Sequence, residues 1–122
     1  MDKSFENGCV FIVGGSGGIG SLCAKEFAQS GARVVITYYK NEQAAIDVAN
    51  DINNDVQIYQ LDNSDPKSVE ETFQKVVNDH GSINTLVNAA GFDIPQKFIS
   101  EIDIDLWKGV IDADINGFFN LV

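Results

Sequence analysis

The residues best suited to do chemistry form one short run, Gly14-Gly15-Ser16-Gly17-Gly18-Ile19-Gly20, in which only Ser16 and Ile19 are not glycine. Glycines at this density let a chain turn tightly and bring its backbone close to a ligand. Where such a loop opens a helix, the unpaired N–H groups of the first turn face an anion. A diphosphate fits there without a lysine. The run satisfies two registers at once, Gly15-x-Gly17-x-x-Gly20 and Gly14-x-x-x-Gly18-x-Gly20, so spacing alone does not separate the dinucleotide-binding families. It does exclude the phosphate loop of kinases and GTPases, which needs Lys and then Ser or Thr after its last glycine, because here Ser21 follows Gly20 directly.

Two further stretches bear on which ligand the loop would take. An acidic residue ending the second strand would bond a bare ribose 2′-hydroxyl and repel a 2′-phosphate. Instead the chain reads Thr37-Tyr38-Tyr39-Lys40, which offers hydroxyls, the aromatic face of Tyr39 and the cation of Lys40. NADP(H) is therefore expected over NAD(H), with Ser16 adding a hydrogen bond to phosphate. Asp62, flanked by Leu61 and Asn63 just after the third strand, falls where a carboxylate can accept from an adenine amino group; it also suits a turn before a helix.

These residues need elements to hold them, and the pattern supplies an alternating set. Short β-branched runs at 9–13, 33–37, 56–61 and 85–88 alternate with segments of helical period, the signature of a parallel sheet covered by crossover helices. The first helix shows Ile19, Leu22, Cys23, Ala24 and Phe27 on one face and stops at Gly31; the second starts near Asn41, carries Ala45, Val48, Ala49 and Ile52, and ends at Asn53-Asn54-Asp55. Ser64-Asp65-Pro66 supplies a cap and a first-turn proline to a third helix that closes at His80-Gly81, where His80 reads as a favourable terminal charge. A last helix begins near Asp103 or Asp105. It sets Asp114 on a stripe with Trp107, Val110, Ile111 and Phe118, where burial would call for a partner and raise its pKa.

Composition excludes other classes. With 122 residues, 44% hydrophobic and 21% charged, the chain makes one domain with a modest core. Its formal net charge of -10 is the wrong sign for a phosphate-neutralising surface, so nucleic acid is not an expected partner. The opening Met1-Asp2-Lys3-Ser4-Phe5-Glu6 has no apolar signal region and no run is long enough to span a bilayer, which fits a soluble cytoplasmic protein without a membrane partner. Cys9 and Cys23 lack metal-ligand spacing and read as reduced core residues, so no metal is expected. A receiver-like signalling domain would need an acidic pair where Gly14-Gly15 stands, and a methyltransferase would expect an acid ending the second strand.

Taken together, Gly14-x-x-x-Gly18-Ile19-Gly20, Asp62, Asn88-Ala89-Ala90-Gly91 and the stretch from Trp107 to Asp112 resemble the short-chain dehydrogenase/reductase superfamily across the whole chain. The resemblance implies an α/β Rossmann-type parallel sheet, in order 3-2-1-4, flanked by helices. It implies a nicotinamide-dependent oxidoreductase acting on a small-molecule carbonyl or alcohol, of 3-oxoacyl type or another small ketone, and a homo-oligomer when complete. Gly14 to Gly20 would hold the diphosphate, Asp62 the adenine, and Asn88, Ala89, Ala90 and Gly91 would line the cofactor and brace the central strand. The departures are specific. Val13 replaces the family's Thr before the first glycine, Ala89 replaces a second Asn, and Asp114 stands at the position of the family's catalytic-tetrad Asn. The family's catalytic Ser and Tyr-x-x-x-Lys follow the fourth helix; residues 1–122 contain neither, since Tyr38, Tyr39 and Tyr59 precede Glu42, Gln43 and Asn63 at that spacing. The chain is thus expected to be the dinucleotide-binding half of such an enzyme and inactive by itself, lacking the general acid. The alternative is a stand-alone dinucleotide-binding module.

Overall fold

The computed structural model describes residues 7–52 and 55–122, so the readings placed on Met1–Glu6 and on Asn53-Asn54 lie outside the described residues. Four strands, β1 (Cys9–Val13), β2 (Val34–Tyr38), β3 (Gln57–Gln60) and β4 (Ile83–Asn88), pair in parallel in the order β3-β2-β1-β4. All five residues of β1 are buried, as expected of a central parallel strand covered on both faces.

Alternation along β1 divides the core in two. Val10 and Ile12 join Val34 and Ile36 beneath α1 (Gly18–Gln29) and α2 (Glu42–Ile52), meeting Ala24, Ala28 and Ala45. Phe11 and Val13 face the other way with Val35 and Leu61, toward Val69 and Val76 of α3 (Pro66–His80). Phe11 is wholly buried and meets Phe73 edge to face at 5.1 Å. α3 starts and stops on local chemistry: the Asp65 carboxylate accepts from the Lys67 N–H at 3.0 Å, Pro66 needs no N–H in the first turn, and Gly81 at φ +87° ends it.

Several expectations are revised. Ile19 and Leu22 are 76% and 66% exposed, so the buried face of α1 is Gly20, Ala24 and Ala28, small residues that let the helix lie close to the sheet. The last helix is not one α-helix. α4 (Ile104–Val110) passes into a π-turn at Ile111–Asn116 before α5 (Gly117–Leu121), and its Trp107, Phe118 and Phe119 are exposed. Cys9 is buried and Cys23 half-buried, and the two are not bridged to each other. Among the described residues no helix is long and apolar enough to cross a membrane.

His80 holds its proton less readily than the expected terminal cation would. Burial, and then the Arg33 charge, push its pKa below the usual histidine value, with Asp79 opposing in part. Tyr59 spends its one proton on Asp79 Oδ2 at 2.5 Å, so the His80 Nε2 at 3.3 Å must be the donor to the phenol oxygen, which fixes the imidazole tautomer. Burial first, then the bond to Asp79, drives the Tyr59 pKa up to about 12. A base lowered by folding contributes stability that is complete above its unfolded pKa and is lost as pH falls through the folded one. Between pH 7 and 5 the urea midpoint of the parent should therefore drop more steeply than that of His80→Gln, the carboxylates cancelling in the comparison. Parallel curves for the two proteins would remove His80 from the acid response.

Candidate functional site

The carboxyl ends of all four strands border a cleft of ≈ 510 Å³, the position at which open parallel sheets take ligands. The glycine loop meets this cleft at Gly14, and its glycines have different reasons for being there. Gly14 has φ +77°, and a Cβ on it would lie 2.6 Å from the Ala90 nitrogen. A Cβ on Gly15 would meet Ile36 at 2.5 Å, and one on Gly20 would meet the Gly14 carbonyl oxygen at 2.2 Å. These three fold the loop down between β2 and β4. Gly18 differs: a Cβ there meets nothing within 4 Å. Gly17 caps α1 without a side chain, no acidic residue occupies the first turn, and Gly17, Gly18 and Ile19 are exposed. The helix thus presents its positive end uncapped beneath open space, which suits a diphosphate.

Thr37, expected to offer its hydroxyl to a ligand, is 1% exposed and accepts the Gly14 N–H at 3.1 Å. The loop is thus braced by a side chain of the neighbouring strand. Beyond it, Tyr39 is 55% exposed and the Lys40 ammonium stands 5.1 Å from its ring centroid; among the described residues no carboxylate pairs with Lys40. Asp62 does the turn work and still borders the cleft. Its Oδ1 accepts from the Ser64 N–H at 3.0 Å and the Ser64 hydroxyl at 2.6 Å, while Oδ2 has no bonding partner among the described residues. Leu61 is buried beside it, fixed to β2 by its N–H to the Tyr38 carbonyl at 2.9 Å.

After β4 the chain is tied to the loop. The Ala89 N–H donates to the Val13 carbonyl at 2.8 Å, and the Asn88 side chain accepts from the Ala90 N–H at 3.2 Å, holding the strand end in its turn. The expected buried Asp114 is not found. It is exposed, and its partner is a main-chain amide: Oδ1 accepts the Phe92 N–H at 2.9 Å. The stripe it was read on is itself open, with Trp107 and Phe118 exposed, and the π-turn at Ile111–Asn116 interrupts its α-helical spacing. Asn116, nearby, donates to Asp112 at 2.9 Å.

Of the residues singled out from sequence, Gly14, Tyr39, Lys40, Leu61, Asp62, Asn63, Ala90 and Gly91 line the cleft. Ser16, Gly17, Gly18, Ile19 and Gly20 continue the loop and α1 outside its walls, and Asn88, Ala89 and Asp114 support the walls from behind. Sequence reading missed Phe92, Gly109, Asp112 and Ala113 as cleft residues. Gly109 carried a usable signal. A glycine inside a helix calls for a packing reason, and a Cβ there would strike the Phe92 ring at 2.7 Å.

The sheet order, the glycine loop at the first strand end and the carboxylate after the third define a Rossmann-type domain of the dinucleotide-binding class. Within that class the chain belongs to the short-chain dehydrogenases, whose family profile matches residues 8–122. It is 32% identical over 116 residues to the uncharacterized oxidoreductase YxbG of Bacillus subtilis, covering 93% of this chain and 42% of that protein. It is 33% identical over 113 residues to a sorbose reductase of Candida albicans, covering 88% of this chain and 40% of that one. A short-chain dehydrogenase/reductase from Serratia marcescens superposes with a TM-score of 0.85 at 25% identity, over 97% of this chain and 49% of its own. The chain spans less than half the length of these curated relatives. The family is one of oxidoreductases that bind a nicotinamide cofactor and small-molecule substrates.

Proposed function

We propose that residues 1–122 form the cofactor-binding half of an NADP(H)-dependent oxidoreductase that interconverts a carbonyl and an alcohol on a small ketone, of 3-oxoacyl or sugar-like type. The observation that carries this reading is the uncapped start of α1 under the open space at Gly18, next to a cleft walled by Asp62 and Lys40. When bound, the nicotinamide supplies or accepts the hydride. This chain's residues hold and orient it: the first-turn N–H groups and Ser16 take the diphosphate, Lys40 and Tyr39 the 2′-phosphate end, Asp62 with Leu61 and Asn63 the adenine, and Asn88 to Gly91 the face of the central strand. Asp114, at the family's Asn position, takes its part by holding the Phe92 wall. The relative named for sorbose, a ketose, supports a small polar carbonyl as substrate. A homo-oligomer, as is typical of the family, and a cytoplasmic setting complete the reading.

Equilibrium titration tests the cofactor. NADPH should bind more tightly than NADH, and Lys40→Ala should remove about 1.5 kcal/mol from NADPH, roughly tenfold, while leaving NADH unchanged. Tighter NADH binding, or full NADPH preference in the variant, would take Lys40 off the 2′-phosphate. A second reading is a dinucleotide-binding module without chemistry. Both readings expect the 122-residue chain to bind NADPH without consuming it when offered ketones; steady oxidation above background would refute the inactivity of this chain.

A further inference from the structure

Asn63 touches two walls of the cleft at once. Its side-chain amide donates to the Ala113 carbonyl at 3.2 Å, fifty positions further along the chain, and its own carbonyl accepts from the Asn120 amide at 2.9 Å. It is packed tightly there, since a Cβ on Gly117 would come within 2.6 Å of its Nδ2. The acceptor is telling. In an α-helix the Ala113 carbonyl would take the Gly117 N–H, four residues on. Here the Gly117 N–H reaches back five residues to Asp112 instead, so the α-helical donor of Ala113 is spent elsewhere and Asn63 supplies a replacement. The next residue, Asp114, holds the Phe92 N–H at 2.9 Å.

We infer that Asn63 is a positioning residue: its amide stabilises the π-turn of the last helix and, through Asp114, sets where the Phe92 wall of the cleft stands. Relaxation of the turn to α geometry would return the Ala113 carbonyl to Gly117 and carry the neighbouring carboxylate away from Phe92. The link ties the loop behind Asp62 to the wall beyond Gly91. Its bearing on a bound dinucleotide rests on the function proposed above, but the link itself does not.

Hydrogen exchange at the Phe92 amide tests it on the 122-residue chain without cofactor. Asn63→Leu keeps the shape and removes the donor, and exchange should quicken about 3- to 10-fold, the effect of one lost hydrogen bond. Asn63→Asp keeps the shape and turns an acceptor on the Ala113 carbonyl, so exchange should be at least as fast as in Asn63→Leu. Equal protection in the parent and both variants, or parent-like protection in Asn63→Asp, overturns the inference. The surface variant Asp114→Ala separates positioning from mere packing. If the path runs through Asp114, adding Asn63→Leu to Asp114→Ala quickens Phe92 no further, whereas additive effects refute the path. A parent that binds neither NADPH nor NADH yet shows the Phe92 order would sink the proposed function while upholding the Asn63 link.

Discussion

Gly20→Val should cost the chain its affinity for NADPH and NADH together, by about 3 kcal/mol or roughly 100-fold, the upper end for overpacking a tight site. The first added carbon would lie 2.2 Å from the Gly14 carbonyl oxygen, and main chain cannot step aside as a flexible side chain can. Gly14 in turn lies against Ala90, so the push passes into the end of β4 and the unfolding midpoint falls as well. Gly18→Ala is the companion. Nothing of the protein lies within 4 Å of the new methyl, so thermal unfolding should stay within about 0.5 kcal/mol of the parent. Binding should nevertheless weaken, because the methyl enters the space assigned to the diphosphate. Isothermal titration of the two variants with both cofactors decides the matter. A Gly18→Ala chain that binds NADPH as tightly as the parent would place the diphosphate elsewhere.

Phe11→Ala is expected to have the largest effect on the fold itself. The ring is wholly buried at the centre of the sheet and packs edge to face on Phe73 across the β1–α3 interface. Truncation leaves a cavity in a place that α3 cannot close without dragging Val69 and Val76 off the same core, and such losses run to about 3–5 kcal/mol. That is a large part of the roughly 5–15 kcal/mol that holds a domain folded. Urea titration should show a midpoint lowered by half or more, or a chain unfolded in buffer. A loss below about 1 kcal/mol would mean that Phe11 is not central to the core.

What the sequence made legible was whatever is decided within a few residues. The limits of β1, the Asp65-Pro66 start and the Gly81 stop of α3, and the glycine loop between β1 and α1 depend on local sterics and capping, and the parallel sheet follows from alternating them. Exposure was harder to read. Ile19 and Leu22 are apolar and correctly spaced, yet the sheet accepts only the alanine and glycine face of α1, because periodicity says which residues share a face and not how closely another surface comes. Hydrogen bonds across long separations were invisible. The Thr37 brace on Gly14, the Asn63 bond to Ala113 and the Asp114 bond to Phe92 join residues 23, 50 and 22 positions apart, and only the folded sheet brings them together.

The π-turn also changes what the length of the chain means here. A five-residue reach accommodates one more residue than an α-turn, and the surplus is taken up between Gly109 and Gly117, with Ala113 turned to Asn63 at the cleft. Gly109 can therefore stay against the Phe92 ring and Gly117 against Asn63 whether or not the extra residue is present between them. Residues 111–116 act as an expansion joint: a place where a single insertion or deletion can be absorbed without unseating its neighbours. Losing one residue there would leave the helix docked and smooth its backbone, and the site would lose the bulge that turns Ala113 to Asn63 and gives Asp114 its grip on the cleft wall.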